Sequence, residues 1–379
     1  MSMPSWMQIG ITLLIVFLLS IPAGRYLCAV VTERRTLLNP LFDRVDNAIY
    51  LLIGRRAASR PMNWRAFTFH MLATNLVMAV IIYLILVLQD RLPLNPKNFP
   101  AMEPMLAFNT AISFITNTDW QGYAGETTLS NFSQMAAITF PMFTSAATGF
   151  VVAMAFIRAF IVKDGGANLG NFYRDLIRFT TRVLLPISLV LSLFLISQGS
   201  PQTLDVEVIA HPIQGGEQGI AIGSVAALET IKHIGTNGGG FFNANAAHPF
   251  ENPTPLTSLL LAVSMALLPS ALVICFGEMI GNRRQACVLY GVMAAMVVMF
   301  ARRQPRCSSR AARRSWRRTG SSCRRAAINR VAIWKARRPA SVLPPAASLL
   351  SSRRPSRPAA STRCMTASRR SAHCPPSWA

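Results

Sequence analysis

Charge is scarce in this chain, and acid is scarcer. Only 14% of the 379 residues are Asp, Glu, Lys or Arg, and Asp and Glu together number 15. Soluble domains carry about 25% charged residues, so an ordinary water-facing globular surface is excluded for most of the chain. The acid also stops short of the end. The formal net charge of +23 divides as +3 over residues 1–300 and +20 over residues 301–379, where no Asp or Glu occurs. The high pI therefore belongs to the tail, which excludes reading the whole chain as a nucleic-acid binder.

Other absences narrow the class further. The seven Cys (28, 275, 287, 307, 323, 364 and 374) form no paired metal spacing. Cys28, Cys275 and Cys287 lie in or beside apolar runs and are expected to be small core residues. No G-x-x-x-x-G-K-[ST] occurs, and no aspartate stands in an Asp-Lys-Thr phosphorylation setting. Any ATP hydrolysis coupled to this chain is expected on another polypeptide. The N-terminus lacks the basic region of a secretory signal and has no small-residue cleavage site before Arg25, so the first apolar run reads as a retained span.

Long apolar runs are present. Six could cross about 30 Å of hydrocarbon: Trp6–Val31, Phe67–Leu88, Phe132–Ile157, Val183–Ile196, Leu256–Ile280 and Ala286–Ala301. The fourth and sixth are short and rely on tilt or neighbours. Arginines divide the loops. Residues 1–24 are uncharged, whereas 25–66 hold Arg25, Arg34, Arg35, Arg44, Arg55, Arg56, Arg60 and Arg65. The positive-inside rule puts that loop in the cytoplasm and the N-terminus outside. Arg158, Lys163, Arg174, Arg178 and Arg182 follow the third run and Arg283-Arg284 the fifth, while 199–221 holds Asp205, Glu207 and Glu217 without a basic residue.

This order holds only if two intervening segments dip into the membrane and return to the same side. Each opens with a helix too short to span, Met105–Ile115 and Ser224–Ile234. Each then turns polar: Ile115-Thr-Asn-Thr-Asp-Trp-Gln121 and Gly235-Thr-Asn-Gly-Gly-Gly-Phe-Phe-Asn-Ala-Asn245. Such backbone cannot face lipid and survives at membrane depth only inside protein or along a watery path. The chain therefore reads as two helix–dip–helix copies, 67–157 and 183–280, with Thr-Asn-Thr echoed by Thr-Asn-Gly about 120 residues on. Residues 1–66 form a first span and basic loop, 158–182 a cytoplasmic loop, 281–301 a sixth span, and 302–379 a basic low-complexity tail.

In a potassium filter, backbone carbonyls replace the hydration shell, and a half-helix ending there directs its negative end at the cation. Ile115, Thr116 and Asn117 would supply carbonyls in the first dip, and Ile234, Gly235 and Thr236 in the second. Spacing alone supports a cation path and polar loops packed between helices equally. Asp119 reads as a charge at the mouth or as a turn cap, and Glu126 as a cap. His233 reads as a satisfied helix-end histidine. His248 and Glu251 are too few for a closed metal site and read as a turn anchored by Pro249 and Pro253.

These residues also carry a family likeness. Phe114 to Gln121, Gly125 to Ser130, Asn131 to Met135, Lys232 to Thr254 (KHIGTNGGGFFNANAAHPFENPT), Pro93-Leu-Asn-Pro96 and Phe276-Gly-Glu-Met279 resemble the potassium-binding A subunit of the bacterial Kdp potassium-transporting ATPase. The likeness covers about residues 5–300 and departs at Asp119, where the family usually has Asn.

It implies an all-α polytopic membrane protein of the potassium-transporter superfamily. Such proteins have four helix–re-entrant pore loop–helix repeats around one filter, and two of the four are present here. It implies a potassium-binding, potassium-translocating subunit of the bacterial inner membrane, bound to no nucleotide itself. Its implied partners are an ATP-hydrolysing B subunit, a C subunit and a small F subunit. Ile115–Asn117 and Ile234–Thr236 become two quarters of the filter, with Gln121, Asn237, Gly238 and Asn245 nearby. Two alternatives stand beside this: a homodimeric channel-like protein that supplies four dips from two chains, and a non-transporting scaffold with a basic lipid-binding tail.

The tail breaks the resemblance, which calls for further spans and two more dips. It reads as disordered, yet a sixth span leaving outward would put +20 on the outer face, against the positive-inside rule. The genetic code supplies a reason. Shifting the frame by one base lets Ile333 to Val342 read Asn-Met-Glu-Gly-Lys-Glu-Ser-Arg-Phe-Gly. Cys364 to Ala372 can likewise read Met-His-Asp-Ser-Phe-Thr-Pro-Leu-Gly. The Glu beneath Lys335 and the Asp beneath Thr366 are forced, and both strings are family motifs flanking the third dip. The expectation is a chain truncated after its second repeat, read out of frame from about Arg302, and inactive alone.

Overall fold

The computed structural model describes residues 3–36, 38–161, 168–211, 215–243 and 245–300. The tail, with the frame shift and disorder expected of it, lies outside the described residues.

Apolar composition over long uninterrupted stretches makes helices here, and local chemistry sets their ends. Helix α1 (Met3–Val31) is followed by α2 (Asn39–Ile53) and the short α3 (Arg55–Ser59). Helix α4 (Trp64–Val87) starts where the Asn63 side chain accepts the Ala66 N–H, satisfying one of the orphan donors of the first turn. Helix α5 (Pro104–Ile115) begins with proline after Glu103, whose carboxylate accepts from the N–H groups of Met105 and Leu106 at 3.0 and 2.7 Å. A single turn, α6 (Gly125–Thr128), leads to α7 (Asn131–Ile161) and α8 (Phe172–Ser197). Strands β1 (Glu207–Ala210) and β2 (Gln218–Ala221) pair antiparallel, Glu207 opposite Ala221. Then come α9 (Val225–Ile234), α10 (Pro255–Ile280) and α11 (Arg283–Phe300). Thr254 and Thr257 form a capping box at the start of α10, and Gly281 ends it at φ +73°.

Among the described residues, α1, α4, α7, α8, α10 and α11 are long and apolar enough to cross a membrane. The fourth span differs from expectation. It runs 26 residues from Phe172 instead of starting at Val183, because Arg174, Asp175 and Arg182, which read as loop, are ion-paired in the fold. Arg158 of α7 forms a two-pronged pair with Asp175 of α8. Arg174 reaches Glu33 at 2.6 Å, and Arg182 binds both Asp43 and Asp46. A second surprise is Cys287, which is exposed while Cys28 and Cys275 are buried. Residues of α11 lie mostly on the outside, Ala286 apart, so Cys287 meets no core.

Hydrogen bonds define the two ends of the bundle. At the arginine-rich end, Arg158 donates to Val31 O at the end of α1, and Met62 before α4 pairs with Gly170 and Leu169 before α8. At the opposite end, Gln89 after α4 donates to the carbonyls of Pro100 and Thr128 and accepts from Ser130 N–H. The segment after α5 thus returns to the end it left. Gln198 after α8 accepts from the Thr254 hydroxyl, so the segment after α9 does the same. The most extensive helix pairing joins α1 to α10. Gly24 makes it possible, since a Cβ there would lie 2.6 Å from Ile274 Cβ and 2.7 Å from Ala271 O.

Candidate functional site: the junction of two dips

Helices α5 and α9 end inside the bundle, and their last residues, Ile115 and Ile234, are buried. Both stop by the same device. The N–H three residues beyond the end bonds the carbonyl two residues before it: Thr118 to Ser113 at 3.0 Å, and Asn237 to Lys232 at 2.8 Å. The second residue past each end is left-handed and not glycine, Asn117 at φ +59° and Thr236 at φ +56°. Such residues are uncommon outside Gly and Asn. Ile115 therefore matches Ile234 and Asn117 matches Thr236, an offset of 119, one less than the offset of the Thr-Asn echo in the sequence.

Side chains lock the two dips together. Asn237 Nδ2 lies 2.6 Å from Asn117 Oδ1, 2.9 Å from Asp119 Oδ2 and 3.3 Å from Ser145 Oγ of α7. Ser145 Oγ in turn donates to Asn117 Oδ1 at 2.9 Å. Gln121 Oε1 accepts from Gly240 N–H at 2.9 Å, and Asn243 Nδ2 donates to Gln121 O at 3.1 Å. Gly239 has φ +69° and Gly240 φ +153°, a stretch that lets backbone approach these side chains. A Cβ on Gly239 would stand 2.5 Å from Gln121 Oε1.

Behind the second dip sits a buried charge cluster. Lys232 Nζ pairs with Glu229 Oε2 at 2.5 Å and donates to Gly239 O at 3.3 Å. His233 Nε2 bonds Glu229 Oε1 at 2.8 Å, while its Nδ1 is buried without a partner among the described residues, so the histidine at this helix end is only half satisfied. Fully buried Glu251 accepts from Phe242 and Ala246 N–H. Burial raises its pKa, opposed by Lys232 and by those two N–H groups. His248 stacks on Phe242 and accepts from Phe250 N–H. Among the described residues no group of three or more His, Cys, Asp or Glu is placed to hold a metal ion.

The carbonyls are what this junction leaves free. Among the described residues, Gly235 O takes one long bond, 3.5 Å from Asn117 Nδ2. The carbonyls of Ile115, Thr116, Asn117, Ile234 and Thr236 accept none. A cavity of about 200 Å³ adjoins part of this junction, lined by Asn117 of the first dip, by Ile234, Gly235 and Thr236 of the second, by Ser145, Gly149 and Phe150 of α7, and by residues of α8 and α10. Thr116 and Thr236 are exposed, Gly235 and Asn237 are buried, and Gly238 is half-buried. Asn245 is exposed and makes no hydrogen bond to this network among the described residues, whereas Asn243 does.

Asp119 is not at an open mouth. It is 1% exposed, accepts from Asn237 and from Gly238 N–H through Oδ2, and leaves Oδ1 buried without a partner. Burial pushes its pKa up to about 7, against the lowering effect of those two bonds. Nor does Glu126 cap a helix: α6 has no side-chain cap, and one Glu126 oxygen is buried without a partner. Sequence reasoning missed Ser145, Asn243 and the Glu229–Lys232 pair. Ser145 was findable as part of Thr144-Ser145-Ala146-Ala147-Thr148-Gly149, a small polar patch inside an otherwise apolar span.

The spans and paired dips define an all-α, multi-pass membrane protein in which two half-helices converge on uncapped backbone carbonyls. Comparison with known proteins makes the class specific. Residues 10–310 match the KdpA family, described as the potassium-transporting ATPase A subunit, and the chain belongs to that family. The potassium-transporting ATPase potassium-binding subunit of Clostridium acetobutylicum is 51% identical over 274 residues, 72% of this chain and 48% of that protein. The subunits of the same name from Allorhizobium ampelinum and Alicyclobacillus acidocaldarius are 46% and 48% identical, covering 79% and 74% of this chain and 52% and 50% of their own. The chain thus spans about half the length of these curated relatives.

Proposed function

We propose that this chain is the potassium-binding part of an ATP-driven potassium uptake complex of the bacterial inner membrane. The carrying observation is the pair of matched half-helix ends with carbonyls left unbonded beside a cavity. Water-stripping by main-chain oxygens needs carbonyls with no other donor, and the negative ends of α5 and α9 add to the attraction for a cation. Ile115, Thr116, Asn117, Ile234, Gly235 and Thr236 supply the oxygens in this reading. Gln121, Asn237 and Gly238 hold the two dips in register, and Asn243 rather than Asn245 completes that brace.

The relatives are named as potassium-binding subunits of a potassium-transporting ATPase. This supports potassium as the transported ion and ATP-hydrolysing and accessory subunits as partners. The arginine-rich end faces the cytoplasm and the N-terminus faces out, by the arginine distribution. Residues 67–157 and 183–280 act as two repeats. A closed filter of four walls needs two more, so this reading frame alone is expected not to restore growth at limiting potassium.

The experiment that tests the path is accessibility. Cysteines at 116 and 236 are expected to react with an impermeant thiol reagent from the periplasmic side, and potassium to slow that reaction. Labelling only from the cytosol ends the proposal.

A further inference from the structure

Helix α2 is amphipathic the wrong way round for a helix resting on a protein. Asn39, Asp43 and Asp46 turn toward α8. Asp43 pairs with Arg182 Nη2 at 2.6 Å, and Asn39 Oδ1 lies 3.4 Å from Arg182 Nε. Buried Asp46 bonds both Arg182 and the Thr181 hydroxyl, the latter at 3.0 Å. Its outward face is apolar. Leu41, Val45, Ala48 and Leu52 follow one another at four, three and four residues, within about 60° of the helix surface. All four are exposed, Leu52 to 87%.

Arginines rim that stripe. Arg44 flanks it, and Arg55 and Arg56 follow directly on α3; all three are exposed, and among the described residues none is ion-paired. The anchors are firm. Helix α2 is held to the first turns of α8, and Asn171 donates to the carbonyls of Ala57 and Arg60 at 2.7 and 2.8 Å. The segment therefore sits at the arginine-rich end of two spanning helices, where the hydrocarbon gives way to headgroups.

We propose that α2 and α3 form an anionic-lipid contact of the bilayer surface, with the Leu41–Leu52 stripe in the acyl boundary and Arg44, Arg55 and Arg56 on phosphate headgroups. A stripe of apolar side chains flanked by arginine is what an interfacial helix presents to lipid. Each arginine near an anionic surface contributes about 1 kcal/mol. The polar side is anchored on Arg182, which pairs with buried Asp46 and with half-exposed Asp43.

The test places the photo-crosslinker benzoylphenylalanine at Leu52 in the full chain. The chain is reconstituted in nanodiscs that mix phosphatidylcholine with phosphatidylglycerol. Irradiation is expected to yield lipid adducts enriched in phosphatidylglycerol over its share of the disc, while the same probe at Asn47, off the stripe, gives few. Arg55→Gln and Arg56→Gln should each cut the enrichment about fivefold and leave the adduct yield from Leu52 high. Equal yields at 47 and 52, adducts that mirror the bulk lipid ratio, or no lipid adduct would each overturn the proposal. So would an adduct to another polypeptide, in place of lipid, when the probe is used in native membranes; that result would assign the stripe to a subunit.

Discussion

At the scale of single residues, Asp119 holds the two dips together at an energetic cost. Its folded pKa is raised far above that of an exposed carboxylate, so between about pH 4 and pH 7 the native state holds a proton that the unfolded chain has released. Stability then falls as pH rises through that window, by up to about 1.4 kcal/mol per pH unit, and levels off above it. Asp119→Asn keeps a hydrogen-bonding side chain without the charge. Thermal unfolding of the detergent-solubilised chain between pH 5 and pH 8 is expected to show a steeper loss in the parent than in the variant; parallel curves would contradict this. Lys232 offers a second case. Lys232→Met leaves Glu229 buried without its cation, a loss of about 3–5 kcal/mol, and frees Gly239 O. The expected result is a marked drop in unfolding temperature, with Glu229→Gln in the same chain restoring part of it.

The same residues show how far the sequence could be read. The half-helix ends at Ile115 and Ile234 were legible because polar, glycine-rich backbone between apolar runs must be buried in protein or line water. The burial of Asp119 was not legible. Its partner Asn237 lies 118 positions away, and nothing local to Thr118-Asp119-Trp120 announces that bond. Sequence spacing could likewise not single out Asn243, whose side chain donates to the Gln121 carbonyl 122 positions earlier.

At the scale of elements, apolar length revealed the spans, and charge misled where it was paired. Arg174, Asp175, Arg178 and Arg182 read as loop because each alone prefers water. Folded, they meet Glu33, Arg158, the Val30 carbonyl, and Asp43 with Asp46. The small β1–β2 hairpin had no strong pattern to betray it, whereas α2 carried a helical apolar stripe, Leu41, Val45, Ala48 and Leu52, that went unread. Close packing of α1 on α10 gives a direct test. Gly24→Val would force side-chain atoms against Ile274 and the Ala271 carbonyl, and overpacking of this kind costs about 1–3 kcal/mol. Denaturant titration of the variant is expected to show that loss, and Gly10→Val, where nothing lies within 4 Å of the added carbon, is expected to show none.

At the scale of the whole molecule, the two dips meet at one junction, in a chain about half as long as its relatives. The seam between α1 and α10 has a consequence for biosynthesis. More than two hundred residues separate Val31 from Pro255. At bacterial elongation rates of about 5–20 residues per second, α10 leaves the ribosome roughly ten to forty-five seconds after α1. Throughout that interval the first helix must persist without its main mate, its glycine notch filled by acyl chains or by the insertion machinery until α10 arrives.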